Sequence, residues 1–569
     1  MALSERDHGR RERFTRRGLP LLAGLAGAAL CAGVIAGTLR PSDDERGAGA
    51  FAAAWEREDF RAMHGLLTPA AAQRTSPSRL ARRYRQALVT ATAGRVATGT
   101  PDSAGDSVRL PVAVRTRVFG EIRGEVALPM ADGLVEWAPH LTFPGVPPGE
   151  RLSRRTEAPR RAALLARDGR TIVAGPASSR KVALGETGAS VAGTLAPPTE
   201  PREISDLYAR GFPRGSPVGA SGLERVLEVQ AAGVPGGELR GGDRVLARRP
   251  PRAADAVRTT LEPEVQAAAA RAIAGRVGGA AALDARTGEV RAVAGIAFSA
   301  PQPPGSTFKI VTATAALEAK LVRVSDRFPV ETKAVIDGTD LENANGESCG
   351  GTFAQSFAES CNSVFAPLGV KVGARRLLDA ARRYGFDEDP GIPGALPSTL
   401  PSRRELSAPF SLGSTAIGQG KLLATPLQLA SVAQTVAAGG QRARPTLVAD
   451  PRGARPVRVT SPEVARTVGR LMADVVAYGT GKKASLLPVR VAGKTGTAEL
   501  EDTTDQEAPG EEAEAGTDTD AWFTAYAPLS RPRLAVAVLL VRAGAGGDTA
   551  APAAREILKA GLREPARSR

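Results

Sequence analysis

The sequence predicts a multidomain α+β chain that carries one segment long enough to span a membrane. Residues 18–39 form a run of 22 residues without a charged side chain. Over the whole chain of 569 residues, 42% are hydrophobic and 24% are charged, as in ordinary folded domains. Near residue 256 short strand-like runs give way to long amphipathic helices, and strand-like segments lie on both sides of those helices. We therefore expect two small domains followed by a larger one in which helices flank a sheet.

The composition argues against several classes of protein. The net charge is +15, but the arginines are spread along the chain and only 4% of the residues are aromatic, so the stacking platforms of nucleic-acid-binding proteins are not expected. The three cysteines form no CxxC pair and the three histidines form no cluster. This pattern argues against a structural zinc site and against a Ser-His-Asp triad. We expect neither a metal nor an organic cofactor.

Residues 18–40 are predicted to be a single transmembrane anchor. A helix of about 20 apolar residues crosses a bilayer, and five arginines lie between residues 10 and 17. Positive charge on that side predicts that residues 1–17 are a cytoplasmic tail and that the rest lies outside the bacterial cytoplasmic membrane. A cleaved signal peptide is the alternative, although its apolar core is usually only about 7–15 residues long. A lipoprotein is disfavoured because Leu30, before Cys31, is not small.

The extracytoplasmic part is predicted to begin with two small domains. In residues 48–150 a helical pattern precedes a strand in which Val108, Leu110, Val112 and Val114 share one face. Residues 151–255 are rich in Arg, Gly and Pro and contain short strand-like runs, which predicts an irregular β-rich domain.

Residues 256–569 are predicted to form an α/β sandwich. The segment GGAAALDARTGEVRAVAG indicates two strands joined at a Thr287-Gly288 turn, and DAWFTAYAPLSRPRLAVAVLLVRAG near the end indicates two more. Amphipathic helices are predicted at 308–320, 361–384, 425–438, 461–479 and 550–562.

A lysine near the start of one of these helices is a candidate catalytic base. The chain contains 65 arginines and only ten lysines, yet Lys309 stands three residues after Ser306 in PPGSTFKIVT. Residues three apart on a helix lie on one face. A desolvated lysine loses its proton, which arginine does not do. The spacing therefore predicts a serine nucleophile activated by a lysine.

Two further motifs contain rare residues. Ser360-Cys361-Asn362 is the only S-x-N in a chain with just three asparagines, and Lys494-Thr495-Gly496 is the only K-T-G, followed by Thr497. The apolar VRVAG before Lys494 places the K-T-G on or beside a strand.

The ordered set S-x-x-K, S-x-N, K-T-G resembles that of penicillin-binding proteins and serine β-lactamases. The resemblance covers residues 256–569, including ALDARTGEVRAVAG, AIGQGKLLATPLQLASVAQTVAAGG and DAWFTAYAP. The run GSPVGASGLERVLEVQAAGVPGG resembles the pedestal, or dimerisation, domain of class B penicillin-binding proteins, which places that domain at 151–255. Residues 48–150 resemble the NTF2-like domain of the methicillin-resistance subgroup.

The resemblance implies a peptidoglycan D,D-transpeptidase that cross-links stem peptides ending in D-Ala-D-Ala and is acylated by β-lactam antibiotics. It implies that Ser306 is the nucleophile, that Lys309 is its base, and that Ser360 relays protons. Asn362 would hold the substrate amide and orient Lys309. Lys494 would add positive potential, Thr495, Gly496 and Thr497 would bind the substrate, and the backbone N–H groups of Ser306 and Thr497 would form the oxyanion hole. A membrane glycosyltransferase would be a partner.

Cys349 and Cys361 are candidates for a disulfide, since they lie twelve residues apart in a compartment that permits one. Two free thiols are the alternative. Within the resemblance, the neighbours of Cys361 point into the site, so its own side chain is expected to point away, which is compatible with a structural disulfide.

Two rival activities share these motifs. A D,D-carboxypeptidase would use water as the acceptor in place of an amine. A serine β-lactamase would need a deacylating glutamate in an E-x-x-L-N segment, and no asparagine follows Asn362.

An acidic stretch interrupts the region after the K-T-G. Residues 499–520 hold ten acidic side chains, and no Lys or Arg occurs from Thr495 to Ser530. The favoured interpretation is a solvated loop, because such charge blocks resist packing. The alternative is a segment that overhangs the site and attracts a cationic acceptor.

Overall fold

A computed structural model describes residues 41–449, 455–499 and 519–563. The predicted tail and anchor, and most of the acidic stretch, lie outside these residues. Within the described ranges, no helix combines the length and apolar character needed to cross a membrane. The chain divides into two compact units. The first holds the described residues up to Thr116 together with Gly120–Ser153 and Arg240–Leu246, and the second holds the remainder.

The first unit places four helices before an antiparallel sheet. The helices are Asp43–Glu56, Phe60–Gly65, Pro69–Arg74 and Pro77–Ala91. The strands are Ala93–Thr98, Asp102–Ala104, Ser107–Thr116, Glu121–Ala131 and Leu134–Val135, and a short 3-10 helix follows at Pro139–Thr142. The order of helices before strands confirms the α+β prediction for this region.

The alternation read from the sequence is confirmed in the long strand of the first unit. Val108, Leu110, Val112 and Val114 are all buried, so one face of the strand Ser107–Thr116 lies in the core.

The second unit begins with short strands and helices. Between residues 152 and 258, some of which belong to the first unit, the strands are Leu152–Glu157, Leu164–Leu165, Thr171–Ala174, Lys181–Val182, Leu195–Ala196, Val218–Gly219, Gly236–Gly241, Arg244–Arg249 and Val257–Arg258. The helices in this range are Gly185–Ala192, Pro201–Ala209, Gly222–Val226 and Glu228–Ala231. Buried ion pairs join Arg161 and Arg180 to Glu224 at 2.6 and 2.7 Å.

A five-stranded antiparallel sheet organises the rest of the second unit. Its spatial order is Val290–Gly295, Gly278–Asp284, Leu534–Leu540, Thr519–Ala527 and Ala492–Glu499. The first and last segments of the region thus meet in one sheet, as predicted. The K-T-G lies on the edge strand Ala492–Glu499, which is called the KTG strand below.

Helices cover both faces of this sheet. On one face, the helices Pro263–Ala272 and Ala550–Leu562 pack against side chains such as Phe523 and Val538. On the other, helices that include Pro426–Ala437 pack against side chains such as Trp522. The remaining helices are Lys309–Glu318, Phe353–Ala358, Asn362–Val372, Ala374–Arg383, Pro409–Ala416 and Pro462–Ala477, with 3-10 turns at Gly305–Phe308, Ala344–Gly346 and Lys482–Ala484.

Short strands lie beside the helices. They are Arg327–Glu331, Lys333–Ile336, Thr339–Glu342, Cys349–Thr352, Gln441–Arg442 and Val457–Arg458. They form three antiparallel pairs, one of which is the hairpin of Lys333–Ile336 with Thr339–Glu342.

The prediction of one helix over 361–384 is wrong. The chain forms two helices there, Asn362–Val372 and Ala374–Arg383, separated by Gly373. Gly373 has φ 83° and ψ 148°, which no helical residue adopts and which glycine reaches at little cost. A single glycine is tolerated inside a helical pattern, so Gly373 did not by itself mark the break.

Candidate active site

Ser306 lies on a tight 3-10 turn that leads into the helix Lys309–Glu318. The turn is Gly305–Phe308, and Thr307 Oγ1 donates to the Pro304 carbonyl at 2.7 Å. Gly305 has φ 51°, and a Cβ there would lie 2.5 Å from the carbonyl oxygen of Thr497. Only glycine therefore lets this backbone approach the KTG strand so closely.

Lys309 is fully buried, and its amine donates to three oxygens of the S-x-N turn. The distances from Lys309 Nζ are 2.6 Å to the Ser360 carbonyl, 3.3 Å to Ser360 Oγ and 2.7 Å to Asn362 Oδ1. The structure thus joins the first two sequence motifs, which lie about 50 residues apart in the chain, through one amine.

Ser360 lies between the two rare lysines. Lys494 Nζ, which belongs to the third motif, donates to Ser360 Oγ at 2.8 Å. Ser360 has φ 65°, a left-handed conformation that is uncommon outside glycine and is found at functional sites. The helix Asn362–Val372 begins two residues later, so Asn362 occupies its first turn.

Burial makes both amines easier to deprotonate. Burial and then the charge of Lys494 lower the pKa of Lys309 well below its usual range. Burial alone lowers the pKa of Lys494 to about 7. Aromatic rings line the site, with Lys309 Nζ 5.6 Å from the Phe365 centroid and Lys494 Nζ 5.7 Å from that of Phe357. A lysine that has lost its proton is able to accept one from serine.

The KTG strand supplies the second wall. Thr495 is buried and its Oγ1 lies 2.6 Å from Thr480 Oγ1, while Thr497 Oγ1 accepts from the Gly546 N–H at 3.5 Å. A Cβ on Gly496 would lie 2.7 Å from the Pro304 carbonyl, so the third residue of the motif also has to be small. The structure therefore brings Ser306, Ser360 and the KTG strand into one site.

The two cysteines of the second unit form a disulfide, with an S–S distance of 2.08 Å between Cys349 and Cys361. Both are buried in the hydrophobic core. The pairing considered from the sequence is confirmed. Among the described residues, the one group with the geometry of metal ligands is Cys349, Glu359 and Cys361. The disulfide consumes both of its sulfurs, so this group does not fit a metal.

Sequence reasoning missed three residues that shape the site. Gly418 accepts the Gly305 N–H at 2.9 Å, Thr480 pairs with Thr495, and Asn343 holds the backbone beyond the S-x-N turn. The scarcity of asparagine was a signal for Asn343, since only three occur in the chain. The other two had no comparable signal, because glycine and threonine are common here.

Comparison with known proteins places this domain in a family. Residues 278–559 match the penicillin binding protein transpeptidase domain. A protein of Mycobacterium tuberculosis named peptidoglycan D,D-transpeptidase PbpA is 34% identical over 290 residues, which cover 47% of this chain and 56% of that protein. A Haemophilus influenzae protein named peptidoglycan D,D-transpeptidase MrdA is 28% identical over 291 residues, covering 45% of this chain and 44% of that one. This chain spans about half the length of the curated relatives it matches.

Solved structures agree with this assignment. The crystal structure of PBPA from M. tuberculosis superposes with a TM-score of 0.56 at 26% identity, covering 71% of this chain and 100% of that one. The fold and the placement of Ser360 between Lys309 and Lys494 define a penicillin-binding protein transpeptidase domain. The matching part of the chain, residues 278–559, therefore belongs to the penicillin-binding protein transpeptidase family, as its motifs predicted.

Proposed function

We propose that this protein is a peptidoglycan D,D-transpeptidase that works through an acyl-enzyme on Ser306. The observation that carries the proposal is the buried Lys309 amine, which is easily deprotonated and bonded to both Ser360 and Asn362. Two relatives are named peptidoglycan D,D-transpeptidases. A solved structure of M. tuberculosis penicillin-binding protein A is a ceftriaxone acyl-enzyme complex. It superposes with a TM-score of 0.56 at 26% identity, covering 71% of this chain and 99% of that one.

In the proposed acylation, neutral Lys309 takes the proton of the Ser306 hydroxyl. The Ser306 oxygen then bonds to the carbonyl carbon of the penultimate D-Ala. The backbone N–H groups of Ser306 and Thr497 would hold the oxyanion, which the close approach of Gly305 to Thr497 supports. When the peptide bond breaks, Ser360 passes its proton to the nitrogen of the departing D-Ala and takes the proton held by Lys309, since its hydroxyl contacts both amines. Lys309 is then neutral again for the second half-reaction.

The KTG strand is proposed to recognise the terminal carboxylate. Lys494 would supply positive potential at the site, while Thr495 and Thr497 would donate hydroxyl hydrogen bonds to the carboxylate of D-Ala or of a β-lactam. Gly496 keeps the strand close to the serine turn. Asn362 would hold the substrate amide through its Nδ2 group and keep Lys309 in place through Oδ1.

In the second half-reaction, an amine of a neighbouring stem peptide would attack the acyl carbon. A new amide bond forms, the bond to Ser306 oxygen breaks, and the amine proton returns to the serine through Lys309. If water attacked instead, the product would be a shortened peptide and the enzyme would be a carboxypeptidase.

The finer assignments are also part of the proposal. The first unit is proposed to be NTF2-like, which its helices followed by an antiparallel sheet support. Residues 151–255 are proposed as the pedestal domain and 256–569 as the transpeptidase domain. Residues 18–40 are proposed as the single anchor in the cytoplasmic membrane, with the N-terminus inside and a membrane glycosyltransferase as partner. Fractionation of cells that express the full chain, beside a variant lacking residues 1–40, tests the anchor.

The central experiment is labelling of the purified chain from residue 41 onward with a fluorescent penicillin. We expect a long-lived covalent adduct on the wild type and none on Ser306→Ala or Lys309→Arg. Lys309→Arg keeps a long nitrogen-bearing side chain but removes the base, because arginine does not lose its proton. Rapid loss of the label with hydrolysed drug would favour a β-lactamase and contradict the proposal. Incubation with a D-Ala-D-Ala peptide and an amine acceptor then separates cross-linking from simple hydrolysis.

A further inference from the structure

We propose that Asn343 is a positioning residue for the S-x-N turn, and that it sets the acylation rate by fixing Asn362 against Lys309. This inference rests on the proposed function. Asn343 follows the hairpin strand Thr339–Glu342 and is only 5% exposed. Its side chain bonds to Glu331, Glu347 and Ser363 and not to Ser306 or Lys309, so we expect any effect on the reaction to pass through other residues.

The amide of Asn343 is fully used by hydrogen bonds. Nδ2 donates to the carbonyl of Glu331 at 2.8 Å and to that of Glu347 at 2.9 Å, and Oδ1 accepts the Ser363 N–H at 2.9 Å. A primary amide has two donors and one acceptor oxygen, so this arrangement matches asparagine and not aspartate. The three partners lie on three separate segments, which Asn343 ties together.

The bond to Ser363 replaces a helix cap that the local sequence lacks. The helix Asn362–Val372 has Cys361 at its N-cap position, and Cys361 makes no side-chain cap because its sulfur is in the disulfide. The first N–H groups of a helix need an acceptor from elsewhere. Asn343 Oδ1 supplies one to Ser363, the second residue of the helix, from a loop 20 residues earlier.

The neighbouring residues continue the connection to the catalytic base. Asn362 Nδ2 donates to the Glu342 carbonyl at 2.7 Å, and Asn362 Oδ1 accepts from Lys309 Nζ at 2.7 Å. Glu342, the last residue of the hairpin, thus holds Asn362, and Asn343, the residue after it, holds Ser363. Removing the Asn343 amide breaks the hydrogen bond to Ser363. Asn362 is then able to shift relative to the Lys309 amine.

A double-mutant cycle tests this role. The variants are Asn343→Ala, Asn362→Ala and both together, and the measurement separates the acylation rate constant for benzylpenicillin from the dissociation constant of the complex that precedes it. We expect Asn343→Ala to lower the acylation rate constant by about ten- to a hundred-fold, because small displacements of reacting groups cost this much. If Asn343 acts through Asn362, the double variant is no slower than Asn362→Ala alone.

Three controls keep the test decisive. Gln355→Ala removes another amide, one that bonds to Thr352 at the start of the preceding helix, and should leave acylation unchanged. Thermal unfolding of each variant reports any loss of stability. If Asn343→Ala does not fold, Asn343→Asp, which keeps an acceptor for Ser363 but loses both donors, takes its place in the same cycle.

The outcomes separate failure of the positioning role from failure of the proposed function. If Asn343→Ala lowers the unfolding temperature but acylates at the normal rate, the proposal is overturned. It is also overturned if the rate loss of the double variant equals the product of the two single losses. A wild type that takes no label would instead overturn the proposed function before the cycle begins.

Discussion

At the scale of single residues, burial is what makes this site chemically useful. Lys309 and Lys494 are both completely buried, and a buried ammonium loses the hydration that stabilises its charge. Arginine would keep its proton in the same place. The use of lysine at these two positions, in a chain whose basic residues are mostly arginine, follows from that difference.

The charge of Lys494 should make β-lactam affinity depend on pH. Because its pKa is about 7, Lys494 loses its charge as the pH rises from 6 to 9. We expect the dissociation constant of the first, noncovalent complex with benzylpenicillin to rise by about ten-fold over this range, the value of one charge-assisted contact. Stopped-flow acylation kinetics measure it. The methyl ester of benzylpenicillin has no carboxylate and should show no such rise; an equal rise for the ester would contradict the prediction.

At the scale of elements, the site depends on how closely three backbone segments approach one another. The serine turn, the S-x-N turn and the KTG strand come from distant parts of the chain. Glycines permit the closest contact, since an added Cβ at Gly305 or Gly496 would meet backbone oxygen at 2.5 or 2.7 Å. These close approaches therefore hold Ser306, the proposed nucleophile, and the KTG strand in one geometry.

Gly305→Ala should abolish most acylation. The new methyl group would push the serine turn away from Thr497, which carries one proposed oxyanion donor, and losing such a donor costs about a hundred-fold or more in rate. Gly338→Ala is the matched control, because Gly338 also has a positive φ, of 78°, but has open space where its Cβ would stand. Penicillin labelling of both variants gives the comparison, and equal rates would show that the approach of Gly305 does not matter.

The disulfide should contribute stability more than rate. It closes a loop of 12 residues, for which the chain-entropy model gives about 3 kcal/mol. We expect the Cys349→Ser/Cys361→Ser double variant to lose roughly this much free energy of unfolding in urea. Its acylation rate should stay within about three-fold of wild type, since both sulfurs lie in the core. A large loss of rate without loss of stability would contradict this.

At the scale of the whole molecule, the two buried lysines link catalysis to stability. Their pKa values are lower in the folded than in the unfolded protein, where lysine titrates near 10.4. Between these values the unfolded chain binds more protons, so the free energy of unfolding rises with pH. Below the folded pKa both states are charged and this dependence disappears.

We therefore expect stability to increase from pH 7 to pH 9. One lysine contributes at most about 1.4 kcal/mol per pH unit. Urea unfolding at a series of pH values measures the slope, and Lys494→Met should reduce it because the titrating group is gone. An unchanged slope in that variant would show that Lys494 keeps an ordinary pKa in the folded protein.

Much of the architecture could be read from local pattern. The strands on either side of the Thr287-Gly288 turn, the two strands near the C-terminus and the helix 550–562 lie where apolar spacing predicted them. The break at Gly373 was missed because a single glycine inside a helical pattern does not by itself mark the end of a helix. The anchor and the acidic stretch stay predictions, since they fall outside the described residues.

The sequence by itself indicated the chemistry proposed for this protein, because the motifs containing Ser306, Ser360 and Lys494 use residue types that few other reactions need in that order. Tertiary structure alone decided how they work together. The placement of Ser360 between two amines, the burial that lowers their pKa values, and the clamp of Asn343 on a distant helix all depend on contacts between segments 20 to 134 residues apart. Local periodicity carries no information about such contacts, which arise only when the chain packs.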